Sequence, residues 1–313
     1  MLSLSFVIPA RNEQQHIGST IDSIRAGAGR EVAAREIVLV DNLSTDSTAR
    51  IGEEKMATVV ISPAATIGAL RNLGASVATG DVLVFLDADV SLSTSWWDTI
   101  PRTMALLEAD SLLLAGSHCS VPSDAHSIYE KYWFSSFGTS RSSHLGSGHM
   151  IIRRDFFNNL GGFRSDLETG EDYDLCERVR AAGGRIEKDP RLIVYHHGFP
   201  DTALRFVRRE IWHGRGDAVD ALTVLQSNVA RAALIFLLLI LSAVLSAIFG
   251  WALGVAMSMS AIACLVLLSS AVKFPNRGIK ATIINSWIFC LYYTGRSIAI
   301  VQSARALIKT PTR

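Results

Sequence analysis

Hydrophobic residues in the first 90 positions form short continuous runs, and the segments between them place apolar residues at helical spacing. In residues 13–26, for example, Ile17, Ile21 and Ile24 recur every three or four positions, as on one face of a helix. Unbroken aliphatic runs are typical of strands that are buried on both faces. Strands that alternate with helices predict an α/β fold built on a doubly wound parallel sheet. The predicted strands are Leu4–Ile8, Glu36–Val40, Thr58–Ile61 and Val82–Leu86, and the predicted helices are 13–26, a segment capped by Ser44 or Thr45, and 67–78.

The C-terminal third is far more apolar. From Ala232 to Val272 the chain has no charged residue over 41 positions. As a helix this run would be about 60 Å long, which is twice the thickness of a hydrocarbon core of about 30 Å. We therefore predict a transmembrane hairpin over about 231–272 that turns near Gly250–Gly254. A third segment, about 281–304, mixes apolar residues with serines, an asparagine and an arginine, which favours an interfacial or re-entrant helix over the alternative, a third membrane helix.

Charge divides the chain at Asp220. All 29 acidic residues lie at or before this position, so residues 1–220 carry −7 and residues 221–313 carry +8. Basic residues flank both ends of the apolar run, and the positive-inside rule then places both ends in the cytosol. We expect a cytoplasmic catalytic domain over 1–220 and a membrane-associated region over 221–313, in a multi-pass protein of the inner or plasma membrane. The total charge of +1 argues against a nucleic-acid partner.

Composition excludes several protein classes. With 49% hydrophobic residues and the long apolar run, the chain is neither purely soluble nor disordered. Its four cysteines are scattered without a C-x-x-C pair, which predicts buried thiols in a reducing compartment rather than a disulfide scaffold or structural zinc site. The apolar start, Leu2–Ile8, is too short for a signal peptide and lacks a basic lead, so we expect the first 220 residues to stay in the cytosol.

Polar residues cluster where the predicted strands end. Ligands of such sheets bind beyond the carboxyl ends of the strands, which here are Pro9–Glu13, Asp41–Asn42 and Asp87–Asp89. In an extended chain Asp87 and Asp89 face the same way, so both carboxylates can meet one hard cation or one polar ligand. A D-x-D tripeptide alone is equally compatible with a solvated strand end. Because further acids are expected at the same edge, the set favours a binding site.

Three acids open a predicted helix near residue 171. An acidic first turn complements the helix dipole, but Glu171, Asp172 and Asp174 exceed what capping needs. A carboxylate in a cleft, near a metal but not bound to it, is a plausible general base.

A histidine pair, His196-His197, follows the apolar run Leu192–Tyr195. A single histidine is more often structural than a ligand. Next to two aspartates and a divalent cation, however, an imidazole is a sensible third ligand. The sequence leaves open which of the two histidines would meet the metal.

Basic residues recur at helical spacing shortly before the apolar run. Arg205, Arg208, Arg209 and Trp212 are compatible with a solvated basic face. A membrane-surface patch and a site for a phosphorylated acceptor are equally good interpretations.

Six motifs, in this order, resemble those of family 2 glycosyltransferases with the GT-A fold. The resemblance covers about residues 3–216, and although each motif alone is weak, the ordered set is specific. The Q-x-x-R-W motif of processive polysaccharide synthases is absent, which favours addition of a single sugar. The second motif has Asp-Asn where the family more often has Asp-Asp. The motifs are Phe6–Glu13, Val40–Asp46, Arg71–Ala75, Gly80–Asp89, Gly161–Phe163 and Gly170–Leu175.

The resemblance implies a role for each matching residue. Asp172 matches the catalytic base, with Glu171 beside it on the acceptor side. Asp89 would bind a divalent cation, Mn²⁺ or Mg²⁺, with Asp87 on the ribose or sugar side and His196 as a further metal ligand. The residues implied to bind the nucleotide-sugar are Pro9, Ala10, Asn12, Glu13, Asp41, Asn42, Arg71, Asp87 and Asp89, and Arg208, Arg209 and Trp212 are assigned to the acceptor side.

These features predict a metal-dependent, inverting, membrane-bound glycosyltransferase. It would move a sugar from a nucleoside-diphosphate sugar to a hydroxyl of a lipid, a lipid-linked glycan or another membrane-proximal acceptor. One alternative is a polyprenyl-phosphate glycosyltransferase, whose acceptor is already anionic and needs no general base. Another is an inactive nucleotide-sugar-binding membrane scaffold, against which the intact acids argue.

Overall fold

The structure is a computed structural model that describes residues 2–27, 33–135, 144–217, 221–275 and 277–309. It divides into two compact units. Unit 1 comprises Met1–Asp124 with Phe137–Gly198, and unit 2 comprises Ala125–Ser136 with Phe199–Arg313. The division differs from the predicted boundary at residue 220, which lies outside the described residues. The chain enters unit 2 at Phe199, and a segment from the middle of the chain belongs to unit 2 as well.

The elements follow the predicted alternation at the start of the chain. The strands are β1 (Ser3–Ala10), β2 (Ala33–Asp41), β3 (Thr58–Ile61), β4 (Val82–Leu86), β5 (Val90–Leu92), β6 (Leu113–Gly116), β7 (His149–Arg153), β8 (Arg185–Lys188) and β9 (Val194–His196). The helices are α1 (Ile17–Arg25), α2 (Thr48–Glu54), α3 (Ile67–Val77), α4 (Thr94–Ala109), α5 (Ile128–Tyr132), α6 (Arg154–Asn159), α7 (Glu171–Ala181), α8 (Ala203–Asp217), α9 (Ala221–Gln226), α10 (Asn228–Ile248), α11 (Ala252–Lys273) and α12 (Gly278–Lys309). Helices α5 and α8–α12 lie in unit 2.

A seven-stranded mixed sheet forms the centre of unit 1, with strand order β3-β2-β1-β4-β7-β6-β8. The first four strands pair in parallel, as predicted. The fully parallel sheet is wrong beyond that point, because β7 runs antiparallel to both β4 and β6. His149, the first residue of β7, pairs with Leu86, the last of β4. The loop before β7 therefore arrives at the edge where the parallel strands end.

The sheet is buried on both faces, as the aliphatic runs predict. On one face Leu4, Phe6 and Ile8 pack in a core with Ile21 and Trp96. The opposite face belongs to a second core, whose members include Val7, Val40, Phe85, Phe163 and Leu175. The inner strands β1 and β4 are mostly apolar because neither of their faces meets water, whereas β3 at the edge is partly exposed.

Two predicted helix starts are wrong. Helix α1 begins at Ile17, and α2 begins at Thr48 with Ser47 at its N-cap position. Ser44 and Thr45 do not cap α2, because both bind Asn12 instead. Helix α3 begins at Ile67, as predicted, and the hydroxyl of Thr66 caps it by accepting a hydrogen bond from the Ala69 N–H.

Unit 2 is helical. Helices α10 and α11 form a hairpin, and Gly250 allows the turn because its φ is +68°. Both helices are long and apolar enough to cross a membrane, and most of their residues are exposed. Among the described residues α12 does not meet the same criteria. It is one unbroken helix of 32 residues, which does not fit the predicted re-entrant alternative.

Candidate active site

A cavity of about 310 Å³ lies at the carboxyl ends of the parallel strands. Most of the predicted nucleotide-binding residues line it, together with His196 and with residues 64–67 of the loop before α3. Asn12, Asp41 and Arg71 do not line the cavity and instead hold neighbouring segments. The residues predicted from the sequence that line it are Pro9, Ala10, Glu13, Asn42, Asp87, Asp89 and His196.

Asn42 fixes the loop that forms one wall of this cavity. Its side-chain amide donates hydrogen bonds to the backbone carbonyls of Ser62 and Ala64, at 2.9 and 2.8 Å. An aspartate could not donate either bond, so the Asp-Asn pair of this sequence has a structural reason. Its neighbour Asp41 is 2% exposed and accepts from the Ser44 N–H through Oδ2, whereas Oδ1 is buried without a hydrogen-bond partner. A buried acceptor of this kind suits a ligand N–H.

Asn12 joins the ends of the first two strands. Its φ is +57°, a left-handed conformation that asparagine tolerates better than most residues. The Asn12 N–H donates to Ser44 Oγ at 2.9 Å, and Asn12 Oδ1 accepts from the Thr45 N–H at 2.8 Å. The next residue, Glu13, is held by its N–H to Thr48 Oγ1 at 2.8 Å.

Glu13 lies among other acids. Burial, and after it the charges of Asp89, Asp87 and Asp46, together raise the pKa of Glu13 to about 7. This edge of the cavity therefore disfavours additional negative charge, and a bound cation would relieve the repulsion.

Asp87, Ala88 and Asp89 form a turn, not the extended segment assumed from the sequence. The Val90 N–H donates to the Asp87 carbonyl at 3.1 Å and closes the turn. The hydroxyl of Thr20 donates to the Ala88 carbonyl at 2.7 Å and anchors its middle. The two carboxylates still come together, but the turn brings them there.

The short antiparallel pair of β5 and β9 adds a histidine to these aspartates. Val90 pairs with His196, and His196 Nε2 lies 3.6 Å from Asp89 Oδ2. One ligand atom each from Asp87, Asp89 and His196 lies within 4.8 Å of the others, which suits a single cation. The neighbouring His197 bonds elsewhere, with Nε2 2.7 Å from Ser91 Oγ. The geometry thus favours His196 over His197 as the ligand.

Arg71 is buried between two carboxylates. It is 1% exposed, and its Nη2 and Nη1 donate to Asp87 Oδ1 at 2.6 Å and Glu171 Oε1 at 2.9 Å. Glu171 is 5% exposed and also accepts from Ser147 Oγ at 2.9 Å. Burial raises the pKa of Glu171, and the Arg71 guanidinium opposes that shift. The expected place of Glu171 on the acceptor side does not fit this burial.

Asp172 is more accessible than Glu171 and lies in the first turn of α7. Its Oδ1 accepts a hydrogen bond from the Tyr173 N–H at 2.7 Å. A methyl group on Gly146 would lie 3.8 Å from its Oδ2, an ordinary van der Waals distance, so the loop before β7 passes near this carboxylate. Asp172 is thus the more accessible of the two acids, and its role as the catalytic base stays a prediction.

Two of the sequence motifs meet in space. The Asn72 side-chain amide donates to the Phe163 carbonyl at 2.7 Å and accepts from the Phe163 N–H at 2.8 Å. Gly162 has φ +71°, and a side chain there would collide with Asn72 Oδ1 at 2.6 Å. The Gly-Gly-Phe motif therefore positions α3, which carries Arg71.

The residues assigned to the acceptor side lie on α8 in unit 2, and their role stays a prediction. Arg208 is exposed, and Trp212 is 40% exposed. Arg209 donates to Glu210 Oε1 at 2.8 Å and lies over the ring of Phe134. Glu210 is buried and also accepts from Arg296 of α12.

Sequence reasoning missed several residues of the site. Gly148 and Gly198 leave room for the aspartates, since an added methyl group would lie 2.7 Å from Asp87 Oδ2 and 1.8 Å from Asp89 Oδ2. Ser147 binds Glu171, and the loop around Ala64 lines the cavity. The Gly-Ser-Gly run at 146–148 was a visible signal, whereas nothing in the sequence marks Ala64.

The family model for glycosyl transferase family 2 matches residues 5–157. These residues belong to glycosyltransferase family 2. The match confirms the family and enzyme class implied by the motifs, and it spans β1, the D-x-D turn and β7.

Known glycosyltransferases agree with this result. The pre-mycofactocin glycosyltransferase of Mycobacterium tuberculosis is 25% identical over 231 residues, which cover 67% of this chain but 46% of that protein. The chain thus spans about half the length of this relative. The amylovoran biosynthesis glycosyltransferase AmsB of Erwinia amylovora is 25% identical over 223 residues, which cover 63% of this chain and 70% of AmsB.

A solved structure supports the GT-A fold. The mannosyltransferase PcManGT from Pyrobaculum calidifontis, in complex with GDP-Man and Mn²⁺, aligns with a TM-score of 0.53 at 17% identity. The alignment covers 98% of this chain and 86% of the mannosyltransferase. The predicted fold class, an α/β GT-A domain followed by C-terminal helices, is confirmed.

Proposed function

We propose that this glycosyltransferase is metal-dependent and inverting, and that it transfers one sugar from a nucleoside-diphosphate sugar to a hydroxyl of a membrane-proximal lipid or glycan. The observation that carries the proposal is the cavity at the strand ends. It brings the Asp87, Asp89 and His196 ligand atoms within 4.8 Å of one another, beside a wall formed by Asn42 and the loop around Ala64.

The donor set fits a divalent cation. Two carboxylates and an imidazole suit Mn²⁺, and the crowding of acids around Glu13 favours a positive charge there. When bound, such a cation stabilises the negative charge that develops on the departing diphosphate. A glycosyltransferase of the same fold, PcManGT, was solved with GDP-Man and Mn²⁺.

The protein groups then support one displacement. The acceptor hydroxyl oxygen forms a bond to the anomeric carbon while the bond from that carbon to the diphosphate oxygen breaks. Asp172 takes the hydroxyl proton, and the nucleoside diphosphate leaves with the bonding electron pair. Attack on the face opposite the leaving group inverts the anomeric carbon.

Membrane association supports the class of acceptor. Helices α10 and α11 are apolar and largely exposed, which would be unfavourable in water. Insertion of the hairpin into a bilayer would bury these faces and hold the enzyme at a surface where lipid-linked acceptors lie. The positive flanks favour a cytoplasmic catalytic unit.

Asp172→Asn tests the acceptor class, because a hydroxyl needs a base and a phosphate does not. A panel of UDP-, GDP- and TDP-sugars with Mn²⁺ first identifies the donor by thermal shift. We expect the variant to lose at least about a hundredfold in turnover with donor affinity nearly unchanged. Asp174→Asn is the matched control, because it removes a charge from the same helical turn. Among the described contacts, the Asp174 carboxylate pairs with Arg178 of the same helix.

Other results would select the alternatives. Near-normal turnover in Asp172→Asn would discard the hydroxyl acceptor and favour a polyprenyl phosphate. Absence of both transfer and donor hydrolysis in the wild-type protein, despite nucleotide-sugar binding, would favour the inactive scaffold.

A further inference from the structure

Arg71, Asp87, Glu171 and Ser147 form one connected network in unit 1. They come from α3, the turn after β4, the first turn of α7 and the loop before β7. Arg71 bridges the two carboxylates at 2.6 and 2.9 Å, and Ser147 Oγ adds a second donor to the same Glu171 oxygen at 2.9 Å. The network thus joins the aspartate at the candidate cation site to the helix that carries Asp172.

The loop before β7 contacts this network along its length. The Gly148 carbonyl accepts from the Asp87 N–H at 3.3 Å, and Gly148 leaves no room for a side chain beside Asp87 Oδ2. Ser147 holds Glu171, and Gly146 faces Asp172 at the distance given above. Two consecutive residues, Ser147 and Gly148, therefore contact two different acids, and Gly146 lies near a third.

Burial makes the charges of this network depend on one another. Arg71 is 1% exposed and Glu171 is 5% exposed, so water screens their interaction little. The planar guanidinium reaches both carboxylates at once, which a lysine could not do. Because Glu171 Oε1 already accepts two hydrogen bonds, Glu171 is poorly placed to receive a proton from an acceptor.

We propose that Glu171 and Ser147 are positioning residues that divide the charge of Arg71 between the two ends of the active site. The inference rests on the proposed function. With Glu171 ionised, Arg71 is shared, and Asp87 keeps negative charge for the cation and donor. Without that charge, Arg71 pairs with Asp87 alone and draws its carboxylate away from the cation, while α7 loses the bond that fixes Asp172.

The test compares Glu171→Gln and Ser147→Ala with Glu177→Gln. Glu177 lies on the same helix, is 51% exposed and pairs only with Arg180 among the described contacts, so its variant is the matched control. Titration calorimetry measures the Mn²⁺ concentration that gives half-maximal binding of UDP or GDP, whichever the wild-type protein binds. Turnover and KM for the donor are measured in parallel.

We expect Glu171→Gln to raise the half-maximal Mn²⁺ concentration about tenfold and to lower kcat by a similar factor, as for other residues that orient metal ligands. Ser147→Ala should change the Mn²⁺ concentration and kcat in the same direction but to a smaller extent. The double variant should resemble Glu171→Gln alone, because Ser147 acts through the Oε1 atom of Glu171. Glu177→Gln changes neither. If Glu171→Gln fails to fold, Ser147→Ala carries the test, since it removes one hydrogen bond and no charge.

Each failure has its own signature. Unchanged Mn²⁺ dependence in Glu171→Gln and Ser147→Ala, in a wild-type protein that binds nucleotide with Mn²⁺, overturns the inference alone. Loss of turnover with unchanged Mn²⁺ dependence also overturns it, and returns Glu171 to the acceptor side. A wild-type protein that binds no nucleoside diphosphate with Mn²⁺ overturns the proposed function and the inference with it.

Discussion

At the scale of single residues, the chemistry of the site depends on which polar groups are already bonded. Asn42 uses both amide hydrogens on carbonyls of the loop after β3, and Arg71 uses both terminal nitrogens on carboxylates. Asp41 Oδ1 is instead left without a partner in a buried position. Several of the matched residues thus hold neighbouring segments in place, and their contacts with a ligand stay predictions.

Glu13 makes the stability of the apoprotein depend on pH. Its pKa is about 7 in the folded state against 4.5 for an ordinary glutamate, so the folded state binds a proton more tightly than the unfolded state. Stability therefore falls as pH rises from about 4.5 to about 7. With EDTA present, we expect Glu13→Gln to have a higher Tm than the wild type. The difference in Tm should grow as pH rises from about 4.5 to about 7 and stay constant above that.

The exposed Glu53 of α2 provides the control, because Glu53→Gln removes the same charge away from the cavity. Saturating Mn²⁺ should reduce the difference in Tm between Glu13→Gln and the wild type, since a cation bound to Asp87 and Asp89 would reduce the repulsion on Glu13. An equal Tm for Glu13→Gln and the wild type at every pH would contradict a raised pKa of Glu13 in the folded state.

At the scale of elements, the short β5–β9 pair completes the cation site. It brings His196 from near the end of unit 1 to the D-x-D turn, and the His197 N–H donates to the Asp89 carbonyl at 2.8 Å. Gly198 follows directly and allows this close approach. Val90, Leu92 and Val194 anchor the pair in the core of unit 1, so it joins two distant parts of the chain.

Gly198→Ala should damage this site specifically. The added methyl group would lie 1.8 Å from Asp89 Oδ2, so the carboxylate must move. We expect Mn²⁺-dependent nucleotide binding to weaken by about tenfold or more, measured by calorimetry.

Gly18→Ala is the control, because its methyl group would meet the flexible end of Lys55 at 3.2 Å and Ile51 Cγ2 at an ordinary contact distance of 3.6 Å. Equal nucleotide affinity in Gly198→Ala and Gly18→Ala would show that Asp89 does not need its present position.

The predictable elements were those with strong local signals. The run Thr58–Ile61 became β3 with the same bounds, because an aliphatic run between turns has few other conformations. Strands β6 and β8 were missed, since the four residues of β8, Arg185–Lys188, include three charged ones and pair only through the tertiary fold. The D-x-D turn was mistaken for extended chain because the two hydrogen bonds that form it leave no local signal in the sequence. One comes from Thr20, which is far away in the chain, and the other is a backbone bond from the Val90 N–H to the Asp87 carbonyl.

At the scale of the whole molecule, the membrane hairpin gives the chain a topology that labelling can test. We expect a cysteine at Trp251, in the turn between α10 and α11, to react only with a reagent applied from the non-cytosolic side. The physical reason is that both flanks of the apolar run are basic, and the positive-inside rule predicts that basic flanks stay in the cytosol. The experiment uses single-cysteine variants in which Cys119, Cys176, Cys264 and Cys290 are replaced by alanine.

Lys280→Cys is the control with the opposite expectation, because it follows the hairpin on the basic side. Labelling of the Trp251 position from the cytosolic side would exclude a hairpin that crosses the bilayer.

The separation of charge along the chain also bears on how fast ligands arrive. Residues 1–220 carry −7, and a nucleoside-diphosphate sugar is an anion, so the two repel each other at distances up to the Debye length of about 8 Å in physiological salt. Divalent cations are attracted by the same field. The catalytic unit therefore gathers metal ions from solution faster than it gathers free nucleotide, and a nucleotide already complexed with a cation approaches against a weaker barrier. Net charge alone therefore predicts slower encounter with the proposed donor than with a cation, and added salt should reduce this difference.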